Sequence, residues 1–136
     1  MRVIKAVPGQ EPVAVDIGNE VDDMDAVVGG FPKQFHNVPS GPRRLVFYCN
    51  ENGPAYKLPA NRQLPDSETP IVGTILVVAF NGSAEVDMTE QEVADTIQTI
   101  NGWSNVYQPP PPPCTHPRVV PGVLGGSMCA VCTKVL

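Results

Sequence analysis

Positive charge is scarce in this chain. Its 136 residues include 9 Lys and Arg against 14 Asp and Glu, a formal net charge of −5. All of the acids precede residue 96, so residues 1–108 carry a net −7, while the remainder holds Arg118 and Lys134 and no acid. An acidic body repels phosphate backbones, which argues against non-specific nucleic-acid contact and fits plain solubility. No apolar stretch approaches the length of a membrane span, so no membrane partner is expected. The opening MRVIKAVPGQEP turns polar and proline-containing too early for a signal peptide, and a cytoplasmic protein with reduced thiols is the expectation. Catalytic patterns are missing too. The glycines form no phosphate-cradling loop, Cys49 shares a strand face with Leu45 and Phe47 and reads as a small core residue, and His36 stands in a loop as a solvated surface histidine. An enzyme is therefore not expected.

What is present suits one domain with an appendage: 42% hydrophobic and 17% charged residues allow a core. Residues 2–7 and 13–17 alternate as strands around a PGQEP turn. Asn19 is placed to cap a short helix with Val21, Met24 and Val28 on one face, Asp22, Asp23 and Asp25 complementing its positive end, and Gly29-Gly30 stopping it. RLVFYCN (44–50) alternates as a strand, Glu51-Asn52-Gly53 signals a hairpin, and Ala55–Leu58 is the expected return strand. Residues 71–80 are almost continuously apolar and predict a central strand covered on both faces. Asn81-Gly82 turns into a strand over 84–88. The second helix opens with a Thr89/Glu92 capping box and a Met88–Val93 staple, buries Val93, Ile97 and Ile100, and ends at Gly102, with Trp103 folding back on it. Strands and helices are segregated, so the expected class is α+β, a small mixed or antiparallel sheet with two helices. There is no internal repeat.

The division expected is an acidic α+β domain over 1–107, a stiff polyproline linker over 108–113 and a short tail over 114–136. The tail cannot bury a core of its own, and it contains Cys114-x-His116, twelve residues, then Cys129-x-x-Cys132. Two thiolates two residues apart grip one ion through a tight turn, and the Cys-x-His pair closes a tetrahedron. Cys114, His116, Cys129 and Cys132 are thus the candidate ligands of a structural Zn2+. The competing reading is a local disulfide or free thiols at Cys129 and Cys132, which would leave the matching Cys-x-His unexplained. Two basic residues and no aromatic after Tyr107 make a thin footprint for nucleic acid.

In the body, the Leu58–Arg62 segment is the most suggestive. Pro59 stiffens it, Asn61 offers donor and acceptor, and Arg62 presents a planar fork suited to carboxylate or phosphate. With Asn50 and Glu51 across the expected hairpin, Asn61 and Arg62 line a candidate polar pocket for a small anionic ligand. The competing reading makes Asn61 a turn cap and pairs Arg62 with an acid.

The order of these landmarks resembles an uncharacterised domain family of bacteriophages and mobile elements, domain of unknown function DUF3846. The resemblance rests on RVIKAVPG at the start, an acidic helix ending in Val28-Gly29-Gly30, and Cys49-Asn-Glu-x-Gly53. Leu58-Pro-x-Asn-Arg62, Ile71-x-Gly-Thr74 and Met88-Thr-x-x-Glu92 continue it. It covers residues 1 to about 100 and departs in the Pro/Gly-rich stretch from Phe31 to Arg44 and in the tail. It implies an accessory protein made in a bacterial host's cytoplasm and brings no settled activity. The leading expectation is a non-enzymatic binder of a host protein, with the zinc tail as a second contact. The alternatives are a protein that sequesters a small anionic ligand such as a nucleotide, and a regulator or anti-restriction factor that meets nucleic acid through the tail.

Overall fold

The computed structural model describes residues 1–18 and 20–109. Strands β1 (Arg2–Ala6) and β2 (Val13–Asp16) form an antiparallel hairpin, its turn closed by Gln10 N–H donating to Val7 O at 2.9 Å. Helix α1 (Val21–Val28) follows, and its cap is Glu20, whose N–H donates to Asp23 Oδ2 at 3.1 Å. Asn19, expected in that role, lies outside the described residues. Asp22 and Asp23 sit in the first turn, where negative charge complements the exposed N–H groups.

The Pro/Gly-rich stretch after α1 is a strand, not a loop. β3 (Pro32–Ser40) pairs along its length with β4 (Arg43–Asn50), and the register slips at a bulge between Gln34 and His36. β3 is an edge strand, where a missing proline N–H leaves no ladder bond unmade, and prolines and bulges there discourage edge-to-edge pairing. β4 therefore finds its partner before it in sequence. The expected return strand at Ala55–Leu58 is a run of turns, with Leu58 N–H donating to Gly53 O at 3.1 Å.

Residues 71–80 divide in two. β6 (Ile71–Val72) joins β5 (Ala60–Gln63) in a small sheet, and β7 (Ile75–Phe80) enters the large one. Gly73, at φ 79°, makes the break, and a Cβ there would come within 2.8 Å of the Leu58 side chain. β8 (Glu85–Val86), α2 (Glu90–Asn101) and β9 (Ser104–Asn105) complete the order. The large sheet runs β2-β1-β7-β4-β3, with β8 pairing β7 beyond the end of β1, and the small one runs β6-β5-β9. Every pairing is antiparallel, so the fold is α+β with two antiparallel sheets.

β7 lies at the centre, as its composition implies. Ile75, Val77 and Ala79 point to one face with Ile4, Leu45, Phe47, Met88 and Ile100; Leu76 and Val78 point to the other with Val3, Val46 and Val28. The first five of the six β7 residues are fully buried, each large one contributing roughly 1.5–3 kcal/mol. Met24 packs from α1 on the second face, while Val93, Ile97 and Trp103 pack from α2 and its end on the first. The capping box of α2 forms as expected: Glu92 N–H donates to Thr89 Oγ1 at 3.1 Å, and Thr89 N–H to Glu92 Oε1 at 2.9 Å. Glu92 does more than cap. Its carboxylate also accepts from Ser40 Oγ at 2.9 Å and pairs with Arg43 at 3.0 Å, tying the helix start to the β3–β4 turn.

Candidate functional site

The sequence candidates in the body separate into two places. Asn50 is buried at the end of β4: its Nδ2 donates to Val28 O at 3.1 Å, and its Oδ1 accepts from Asn52 N–H at 2.7 Å. It pins the end of α1 to the turn that follows β4. Glu51 is exposed beside it, with its N–H donating to Phe31 O at 2.8 Å. Asn61 and Arg62 lie on β5, in the other sheet, and only Asn50 and Glu51 of the four line the recess described next.

That recess, about 180 Å³, opens where the β3–β4 hairpin meets β6. Phe35, Cys49, Ile71 and Val72 contribute its apolar walls, and Lys33 and Glu51 bring charge to it. Burial pushes the Cys49 thiol up, with Lys33 pulling it partly back, which keeps it a neutral core group. Phe31, 68% exposed, stands opposite Glu51 at the open end of the hairpin, and Tyr56, 61% exposed, projects from the turns after β4. Sequence reasoning missed both aromatics, because exposure of an apolar side chain is a property of the neighbours it fails to meet. A broader and more open hollow of about 610 Å³ lies at the opposite end of the sheet, lined by Met1, Arg43, Glu85, Val86 and Asp87. Its cations are already engaged: Arg43 Nη2 binds Glu92 and donates to Asp87 O at 2.6 Å, though Arg43 Nε has no partner among the described residues, and the Met1 ammonium donates to Ile17 O.

His36 is not a solvated loop residue. The bulge turns Phe35 and His36 together towards the α2 side, where the imidazole stands edge-on to Phe47 at 5.1 Å and to Trp103 at 5.4 Å. Phe35 joins the same group, 6.1 Å from Phe47 and 6.2 Å from Trp103. Burial among these rings lowers the His36 pKa from its ordinary 6.5. With no carboxylate facing it in a hydrogen bond among the described residues, it serves as a packing group.

Asn61 and Arg62 are brought together and enclosed. Asn61 is fully buried; its Nδ2 donates to Ala6 O and to Gly73 O, both at 2.8 Å, joining the end of β1 to the β6–β7 break. Its Oδ1 accepts from Arg62 Nη1 at 3.0 Å. Arg62 is 2% exposed, and its Nε has no partner among the described residues. Burial lowers its pKa and Glu11 raises it in part, but a guanidinium keeps its charge throughout the physiological range.

Cys114, His116, Cys129 and Cys132 lie outside the described residues. Among the described residues no group of three or more His, Cys, Asp or Glu is placed to hold a metal ion. No helix among them is long and apolar enough to cross a membrane. In comparison with curated proteins and with solved structures, nothing matches the chain. Residues 1–101 match the model of the family described as domain of unknown function (DUF3846), the same body over which the short motifs follow one another in order, and the chain belongs to that family.

Proposed function

We propose that the chain is a non-enzymatic accessory protein of a phage or mobile element, whose acidic body binds a host protein through the end of the sheet that bears Phe31 and Tyr56. One observation carries this reading: two exposed aromatics on backbone that adjoins an apolar recess, Phe31 accepting through its carbonyl from Glu51 N–H at the recess rim and Tyr56 two residues beyond Pro54 of its lining. Aromatic anchors that leave water on binding supply most of the energy of protein interfaces, and a polar rim around them sets specificity. In a chain with only 6% aromatic residues, leaving two of them in water at the same end needs a reason. The tail enters the proposal as a zinc-stapled second contact, joined by a polyproline spacer, which raises affinity only when both contacts fall within its reach.

The test is affinity capture from a bacterial lysate with the full chain and with Phe31→Ala/Tyr56→Ala. Both side chains are largely exposed, so the double variant should melt within a few degrees of the parent. It should also lose at least tenfold in capture of the specific partner, as expected when about 1.4 kcal/mol or more of anchor energy is removed. Equal capture of the same partner by both proteins would defeat the reading. A rise in melting temperature with added nucleotides, and no protein captured, would favour sequestration of a small anionic ligand instead.

A further inference from the structure

A guanidinium has two usable edges, and in Arg62 only one of them is occupied. Its hydrogen bonds to described residues all leave from Nη1, to Asn61 Oδ1 at 3.0 Å and to Asn61 O at 3.5 Å. The Nε side, which together with Nη2 grips planar and tetrahedral oxyanions side-on, faces no protein acceptor among the described residues. The side chain is 2% exposed, and the ion pair found among those residues is elsewhere, between Arg43 and Glu92. Enclosing a cation with no ion pair in direct contact among the described residues, Glu11 acting on it only through space, is costly, and a fold retains such a charge when it has a use or is hydrated.

The fork is also aimed. Asn61 cannot rotate away, because both hydrogens of its amide are held by carbonyls from different parts of the chain. Arg62 itself sits opposite Asn105 of β9, and Val106 N–H donates to Asn61 O at 3.1 Å. Tyr107, next along the chain, lies against the β1–β2 turn: a Cβ at Gly9 would come within 2.6 Å of its ring. The flanking strand β9 is two residues long and pairs β5 at Arg62 and Gln63.

We propose that the Nε side of Arg62 is a binding site for one oxyanion, a carboxylate or a phosphate group, with Asn61 as the positioning residue. The site shares no residue with the aromatic end of the sheet and does not depend on the reading given for that end. Glu11, exposed on the β1–β2 turn, acts on Arg62 through space, and its like charge would oppose an anion held there.

The experiment uses the 15N-labelled full chain and follows the Arg62 Nε–H signal. The signal is assigned through its own side-chain correlations, so the assignment does not depend on a variant that folds. Inorganic phosphate and acetate are titrated separately, each against sodium chloride at matched ionic strength. A saturable shift of the Nε–H signal, with the Asn61 and Val106 amides moving alongside, supports the site. Phosphate alone producing it names a phosphate group, acetate alone a carboxylate. Glu11→Gln should then tighten binding severalfold by removing a like charge from the ligand's neighbourhood. Saturation with an unchanged constant in Glu11→Gln would place the anion elsewhere and overturn the assignment. No saturation with either anion, or the same response to chloride, overturns the site itself and leaves the Nε–H to a buried water or an adventitious ion only.

Discussion

Replacing Asn61 by Ala tests whether one amide holds the two sheets together. The side chain makes three hydrogen bonds, to Ala6 O, to Gly73 O and from Arg62 Nη1, in a position with no exposure to water. Truncation orphans two carbonyls and one end of a cation, each costing about 1–3 kcal/mol when buried. Backbone partners and local relaxation recover part of this, so a loss of roughly 3–6 kcal/mol is expected, set against a typical domain stability of about 5–15 kcal/mol. Arg62→Met should cost less, since it removes a buried charge that has no direct ion pair among the described residues, along with its hydrogen bonds. The double variant should show a coupling of about 0.5–3 kcal/mol, because Asn61 is the protein acceptor of Arg62. The assay is urea unfolding followed by fluorescence of Trp103, the single tryptophan of the chain, whose ring lies 5.4 Å from that of Phe47 in the core. A loss below about 1 kcal/mol for Asn61→Ala would refute the reasoning, since it would mean that the three bonds are replaced at no cost.

The aromatic setting of His36 predicts a pH dependence. Its folded pKa lies below the unfolded 6.5, so as pH falls the unfolded chain binds the proton first. Its burial therefore costs nothing above that value and destabilises progressively as pH drops below it; melting temperature should fall more steeply on acidification in the parent than in His36→Phe, and parallel curves would refute this. In the tail, native mass spectrometry should find one zinc per chain, lost in Cys129→Ser or Cys132→Ser, while a chelator leaves the Trp103 unfolding transition in place. Finding metal-free protein after purification without chelator would remove the zinc from the account.

Elements written in local chemistry were legible. Thr89 and Glu92 specify the start of α2 because both partners of the capping box lie within one turn. The apolar run at 75–80 specifies a strand buried on both faces, and the Val28-Gly-Gly stop ends α1 where the spacing places it. The order of the short motifs also carries family membership, which the match over residues 1–101 shows. Local patterning failed where long-range pairing overrode it. Prolines in the stretch 31–44 read as loop, yet an edge strand tolerates them, and the bulge that sets Phe35 and His36 on one face breaks the alternation that would have exposed the strand. The turn signal after Asn50 was real, but β4 already had neighbours on both sides in β3 and β7, so no return strand was needed at 55–58. The candidate sites depended most on tertiary structure. Composition supplied an Asn and an Arg side by side; only the meeting of β1, β5 and the β6–β7 break enclosed them, locked the amide and left one edge of the guanidinium without a protein partner among the described residues. Burial belongs to the neighbours a residue acquires from distant parts of the chain, and no local pattern encodes them.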